Sequence, residues 1–174
     1  MKTQELKGAL GALLKELRLE MKARFQRHVS TQDLLSDRWE TARLNGFGEG
    51  SSCYNNVLII GEVEVGSSTW IGPNVILDGS GGLKIGSHCD ISAGAQLYTH
   101  HTVRRVTSMG EAPVERAPTV IGDGVYIGPN AVIQMGVTVG DRAVIGAMSF
   151  VNRDVPAGAM VCGVPARVVK RSAE

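Results

Sequence analysis

TVIGDGVYIGPNAVIQMGVTVGDRAVIGAMSFV, residues 119–151, repeats an aliphatic residue at every sixth position. These aliphatic residues are Ile121, Ile127, Ile133, Val139, Ile145 and Val151. Glycine follows four of them directly, at Gly122, Gly128, Gly140 and Gly146. A period of six fits neither an α-helix nor a simple alternating strand. It indicates a short strand followed by a turn that rotates the chain by a fixed angle.

The same period continues towards the N-terminus. It runs back through Leu97, Ile91 and Ile85, slips by two residues within 79–82, and resumes at Leu77, Ile71, Val65 and Ile59. If three units of six close one triangular coil, the aliphatic residues stack inside a narrow prism whose backbone pairs between coils. A narrow interior also accounts for the aromatic content of only 5%. We therefore predict an all-β solenoid of about five coils, roughly 24 Å tall.

Residues 1–54 have a different composition, with Val29 as the single Val or Ile. Leucines at three- and four-residue steps predict an amphipathic helix, and Thr31 is placed to cap a second helix that runs to Trp39. We expect a helical segment over 1–50 and a β-helix domain over 51–174. The first helix has a basic face, which would suit a membrane surface, but covering a prism end or packing on a partner subunit is favoured.

Composition excludes several classes of protein. A net charge of +1 argues against a nucleic-acid-binding protein. No apolar run approaches the ~18 residues of a membrane span, and acidic residues among the first leucines argue against a secretory signal. Three cysteines, an odd number at wide spacing, favour a reducing compartment. We expect a cytoplasmic protein without a transmembrane segment.

The repeat units LIIGEV, EVGSSTWIGPNV and GLKIGSHCDISAGA, with residues 119–151 and the closing DVPAGAMVCGVPARVVK, resemble the hexapeptide-repeat acyltransferases. The nearest group is the maltose/galactoside and surface-polysaccharide O-acetyltransferases. The resemblance covers about residues 55–170. It implies a left-handed parallel β-helix, a homotrimer, and acetyl-CoA bound between neighbouring prisms.

Residues 101–118, HTVRRVTSMGEAPVERAP, interrupt the repeat and predict a functional loop. Transfer of an acyl group to a hydroxyl needs a base, and histidine, with an ordinary pKa near ~6.5, can serve. The resemblance places this base at the root of the loop, where Tyr98-Thr99-His100 matches the family motif. His100 is preferred as the catalytic residue, and His101 remains open. Both could instead be solvated loop residues.

Zinc is the competing use of histidine, because some β-helix enzymes bind zinc through three histidines. The chain contains only His28, His88, His100 and His101, and none of them follows the loop. Adjacent His88 and Cys89 point to different sides of a strand and form a poor chelate. We expect no metal.

Acceptor contacts are expected at three residues. Asp78 stands where the resembling sugar acetyltransferases carry an acid that meets the acceptor, although a turn aspartate before glycine is nearly as good an explanation. Arg104 and Arg105 could hold a phosphate or carboxylate of the acceptor, with solvated loop charge as the alternative for at least one of them.

The donor site comes from the resemblance in the C-terminal part of the chain. It places Pro129 and Ala147 beside the pantetheine arm of acetyl-CoA, and Asn152 and Arg153 at the middle of that arm. It also places Arg167 and Lys170 near the nucleotide phosphates. Pro129 lacks the N–H and hydroxyl groups that serine would offer, and Arg167 and Lys170 could instead form a solvated tail.

We therefore expect an acetyl-CoA-dependent O-acetyltransferase acting on a saccharide hydroxyl. The first alternative is an N-acetyltransferase acting on a nucleotide-linked amino sugar. The second is a non-catalytic β-helix scaffold.

Overall fold

The computed structural model of the protein describes residues 2–171, with the side chains of residues 170 and 171 left out. Its helices are α1 (Thr3–Phe25), α2 (Gln32–Leu35), α3 (Arg38–Leu44) and α4 (Val103–Thr107). Its strands are β1 (Ser52–Cys53), β2 (Leu58–Val65), β3 (Trp70–Ile71), β4 (Ile76–Ile85), β5 (Asp90–Ile91), β6 (Gln96–Leu97), β7 (His100–His101), β8 (Glu115–Arg116), β9 (Thr119–Ile121), β10 (Tyr126–Ile127), β11 (Val132–Ile133), β12 (Thr138–Val139), β13 (Val144–Ile145), β14 (Phe150–Val151), β15 (Ala159–Gly163) and β16 (Ala166–Arg171).

The strands form the three faces of a prism. The first face stacks β1, β3, β5, β10, β13 and β15 in parallel, and antiparallel β16 closes it. The second face stacks the first halves of β2 and β4 with β6, β11 and β14, and the third stacks their second halves with β9 and β12. The predicted all-β solenoid with an N-terminal helical segment is confirmed, and its parallel coils agree with a left-handed β-helix.

Strand register explains how the repeat and its interruptions fit one prism. Along the first face the paired residues are Ser52, Trp70, Asp90, Tyr126 and Val144, separated by 18, 20, 36 and 18 residues. The separation of 20 contains the two-residue slip, and that of 36 contains one ordinary coil together with the loop. Both irregularities therefore leave the stack of strands in register.

The predicted aliphatic column is the core. Every member from Val65 to Val151 is buried, while Ile59 in the first coil is only partly buried. Six strands rather than five stack on the first face. The additional coil was missed because Cys53, fully buried, occupies an interior position ahead of the first aliphatic hexad.

Glycine at the corners allows successive coils to approach closely. A Cβ atom on Gly128 would lie 2.6 Å from the backbone nitrogen of Ala147 on the next coil. Since such a contact is with backbone, it cannot be relieved by a side-chain rotation. The recurrence of glycine after the aliphatic residue therefore reflects the spacing of the coils.

The N-terminal segment differs from the sequence prediction in two respects. The second helix is broken into α2 and α3 at Ser36–Asp37, because Asp37 caps α3 by accepting a hydrogen bond from the Glu40 N–H at 2.7 Å. Thr31 makes no side-chain capping bond. It is α3, through buried Ala42, that packs on the open end of the prism next to β1. No residue of α1 is buried.

Two further expectations concern cysteines and membranes. Cys53, Cys89 and Cys162 are all free thiols. None of the helices formed by residues 2–171 has the length and hydropathy needed to cross a membrane.

Candidate active site

The edge between the second and third faces brings Asp78 and His100 together. Leu77 pairs with Leu97 on neighbouring coils, so the chain turns at Asp78 on one coil and at Tyr98 on the next. Two residues further on, the His100 imidazole extends back towards the earlier coil. Its Nδ1 lies 2.6 Å from Asp78 Oδ2.

Asp78 is a fully buried carboxylate with its oxygens occupied by hydrogen bonds. Oδ1 accepts from the Ser80 hydroxyl at 2.6 Å and from the Ser80 N–H at 3.1 Å. Oδ2 accepts from the Thr99 N–H at 2.8 Å as well as from His100. Burial alone raises the pKa of Asp78, but the hydrogen bonds from Ser80, Thr99 and His100 outweigh it, and the pKa lies well below its ordinary value. The group is therefore an anion.

The ionised Asp78 fixes the tautomer of His100. A carboxylate only accepts hydrogen bonds, so Nδ1 of His100 must carry the proton and donate it. In the neutral ring, the other nitrogen, Nε2, then has a free lone pair. Since the His100 side chain is 31% exposed, this pair forms an oriented base that an external molecule can reach.

Thr99 holds both partners in place. Its hydroxyl donates to the backbone carbonyl of Asp78 at 2.7 Å and accepts from the Gly81 N–H at 2.8 Å. Thr99 is itself fully buried. The dyad is therefore anchored to the coil rather than to the loop.

His101 lies on the opposite side of the strand from His100, as alternation along a strand requires. Its Nδ1 is 3.5 Å from Glu115 Oε2 and has no hydrogen-bond partner among the described residues. It has no contact of the kind that orients His100.

The residues 101–118 are more ordered than a plain loop. They contain the short helix α4 and the strand β8, which pairs antiparallel with β7. Arg104 is 73% exposed, with Nη1 3.5 Å from Glu115 Oε1. Arg105 is exposed and its Nη1 donates to the Gly110 carbonyl at 3.5 Å. The structure does not bring these two arginines to the Asp78–His100 pair.

Asp78, which the sequence analysis expects to contact the acceptor, lies beside His100 rather than at the surface. Its side chain has no exposed area, so within this chain it has no surface to offer to an acceptor. Its contacts instead make it the orienting partner of His100. Sequence reasoning missed Ser80 and Thr99 as members of the site, although Thr99 stood inside the quoted motif.

The expected donor residues lie on two neighbouring edges of the second face. Pro129 and Ala147 stack at the edge shared with the first face, where the Pro129 carbonyl accepts from the Met148 N–H. Asn152 and Arg153 follow β14, on the same edge of the prism as His100. They lie two coils beyond His100, a distance of ~10 Å along the stack. All four residues are exposed.

The C-terminal cations are only partly described. Arg167 is exposed on β16, and its Nη1 donates to the Ala166 carbonyl at 2.8 Å. The Lys170 backbone pairs with Met160, but its side chain lies outside the described part of the chain.

The described residues, 2–171, give little support for metal or thiol chemistry. Within residues 2–171, no three His, Cys, Asp or Glu side chains form a group that could hold a metal ion. Burial raises the pKa of the Cys53 thiol to about 12 and raises that of Cys89 as well. Neither is poised to act as a thiolate.

Comparison with known proteins agrees with this fold. Residues 118–153 match the family described as bacterial transferase hexapeptide (six repeats). A solved hexapeptide-repeat containing acetyltransferase from Vibrio cholerae is 30% identical, with a TM-score of 0.69, over 96% of this chain and 93% of that one. The chain belongs to the hexapeptide-repeat acetyltransferases, as the sequence resemblance implied.

Two other relatives resemble this chain either at lower identity or over a smaller part of its length. An N-acyltransferase from Bacillus cereus, solved with dTDP and 3-hydroxybutyryl-CoA, shares the fold at 21% identity and a TM-score of 0.66, covering 73% of this chain and 72% of that one. A Staphylococcus aureus 2,3,4,5-tetrahydropyridine-2,6-dicarboxylate N-acetyltransferase is 50% identical over 62 residues, 36% of this chain. Those residues span about a quarter, 26%, of that relative.

Proposed function

We propose that the chain is an acetyl-CoA-dependent acetyltransferase in which His100 is the general base. The observation that carries this proposal is the 2.6 Å contact between His100 Nδ1 and the buried Asp78 carboxylate. It leaves Nε2, on a partly exposed side chain, as an oriented proton acceptor. Membership of the family supports the reaction class, and the Vibrio cholerae relative has also been solved with acetyl-CoA.

Acetyl-CoA would supply the acetyl group as an activated thioester. Nε2 of His100 takes the proton of the acceptor as the acceptor's lone pair attacks the thioester carbonyl carbon. The imidazolium that forms is stabilised by ionised Asp78, which keeps its own charge throughout. When the carbon–sulfur bond breaks, the same proton passes from Nε2 to the departing thiolate, and the base is regenerated.

The donor is proposed to lie along the second face, with Pro129 and Ala147 on one edge and Asn152 and Arg153 on the other. Arg167 and Lys170 would then meet the nucleotide phosphates. A homotrimer would supply a neighbouring prism to wall the exposed groove. Light scattering that gives three times the chain mass of 18.5 kDa supports this assembly, and a monomer contradicts it.

Two acceptor classes remain as proposals. A saccharide hydroxyl follows from the sequence resemblance. An amine, above all on a nucleotide-linked amino sugar, is favoured by the named activities of the Staphylococcus aureus and Bacillus cereus relatives. Either nucleophile must lose a proton during the attack, so the same base serves both. We place the reaction in the cytoplasm, where acetyl-CoA is available.

The test is acetyl transfer by the full chain, followed by mass spectrometry of the acceptor. The panel pairs dTDP-4-amino-4,6-dideoxyglucose with maltose and a galactoside, so that amine and hydroxyl acceptors are compared directly. We expect an acetylated product and release of coenzyme A with one class. Absence of any product across amine and hydroxyl acceptors, with acetyl-CoA bound, would support the non-catalytic scaffold instead.

A further inference from the structure

The strand that returns from the loop places Arg116 opposite His100. β7 and β8 pair antiparallel, with His100 opposite Arg116 and His101 opposite Glu115. Directly opposed residues in such a pair extend to the same face, with Cβ atoms ~5 Å apart. The second pair obeys this rule, because the His101 and Glu115 side chains meet at 3.5 Å. Arg116 therefore shares the face of His100.

The Cβ atom of Arg116 lies next to Gly81, on the coil that carries Asp78 and Ser80. A Cβ atom on Gly81 would lie 3.2 Å from Arg116 Cβ and only 2.4 Å from the Thr99 carbonyl oxygen. Gly81 directly follows Ser80, whose hydroxyl is 3.1 Å from His100 Nδ1. β8 is further tied down by the Ala117 N–H, which donates to the Thr99 carbonyl at 3.0 Å.

The charge of Arg116 is not compensated nearby. Arg116 is exposed and forms no ion pair with any residue between 2 and 171. Glu115, its neighbour on β8, faces the other side and meets His101 and Arg104. The Asp78 anion is buried and already accepts hydrogen bonds from three residues. The surface around His100 therefore favours an anion.

We propose that Arg116 binds a carboxylate or phosphate group of the acceptor and thereby holds the acceptor nucleophile against His100. This inference rests on the proposed function and names the acceptor class as anionic. A guanidinium suits the role because its fork of N–H groups matches either anion in a bidentate arrangement. On this proposal Arg116 binds the anion in place of Arg104 and Arg105, and Arg104 instead meets Glu115.

The test uses calorimetric titration of the full chain with coenzyme A present at saturation, so that the donor site is occupied. The anionic probes are dTDP and pyridine-2,6-dicarboxylate, and the uncharged counterparts are thymidine and pyridine. The wild type, Arg116→Gln and the control Arg142→Gln are compared. Arg142 is another exposed arginine, located at a different edge of the prism.

We expect one anionic probe to bind the wild type and Arg142→Gln with the same Kd. Its Kd for Arg116→Gln should be at least about 10-fold higher. Binding of dTDP would identify a phosphate, and binding of pyridine-2,6-dicarboxylate a carboxylate. The proposal is overturned if neither anion binds the wild type, or if Arg116→Gln binds both as well as the wild type does.

The same variants separate this inference from the proposed function. With an accepted anionic substrate, Arg116→Gln should raise the KM for the acceptor and leave the KM for acetyl-CoA unchanged. Acetyl transfer that needs His100 but has the same acceptor KM in Arg116→Gln contradicts the inference alone. Anion binding that depends on Arg116, without any acetyl transfer, contradicts the proposed function alone.

Discussion

His100 Nδ1 lies 2.6 Å from Asp78 Oδ2, although 22 positions separate the two residues in the chain. The coil register explains this contact, since Leu77 stacks on Leu97 and both residues follow that pair at the same edge. The solenoid thus converts a sequence separation of one coil into a hydrogen bond. A buried anion beside a partly exposed imidazole results from one coil stacked on the next.

Asp78→Asn should lower kcat by about 10²-fold, because an amide cannot stabilise the imidazolium and no longer fixes the tautomer. Asp141→Asn is the matched control, because Asp141 accepts the Asp123 N–H at a different edge. An unchanged kcat in folded Asp78→Asn would show that Asp78 has only a structural role.

Stability should also depend on the charge of Asp78. Its pKa is lowered in the folded chain, so ionised Asp78 contributes stability above its unfolded pKa near ~3.9. That contribution is lost as the pH falls through the folded value. Urea titrations at a series of pH values from 6 downwards measure the free energy of unfolding. The value for the wild type should approach that for Asp78→Asn as the pH drops. A difference between them that is constant over this range contradicts the lowered pKa.

Gly128→Ala should lower the free energy of unfolding by about 1–3 kcal/mol, because its Cβ would press on the Ala147 backbone. Gly8→Ala is the matched control on α1, where nothing lies within 4 Å of the new atom. There the change should stabilise by up to about 1 kcal/mol through helix propensity. Chemical denaturation measures both, and equal effects would contradict the close approach of the coils.

Arg167→Ala should raise the KM for acetyl-CoA severalfold with little change in kcat. A phosphate contact remote from the thioester binds the ground state and the transition state about equally. Steady-state kinetics with varied acetyl-CoA makes the comparison, with Arg142→Ala as the control. An unchanged KM would remove Arg167 from the donor site.

The repeat was readable from sequence because each aliphatic residue, such as Ile127, serves the same interior column, and interior volume constrains residue type. The break between α2 and α3 could not be predicted from the sequence, because the helix period continues through the point where Asp37 caps a new helix. The Asp78–His100 contact depends on how side chains meet at the edge where Leu77 stacks on Leu97, which the repeat of aliphatic residues does not specify. The position of Arg116 could not be predicted either, because it depends on the pairing of β7 with β8 inside a stretch without a repeat.

The kcat of His100→Asn, measured beside His101→Asn with the acceptor identified in the panel, tests the central claim most directly. We predict a fall of about 10²–10⁴-fold for His100→Asn, the usual worth of a positioned general base. His101→Asn should change kcat only mildly, because His101 faces away from Asp78. Both variants should keep the fold, which circular dichroism checks, since neither side chain belongs to the buried column. Full activity in folded His100→Asn, or loss of activity in His101→Asn alone, would contradict the account.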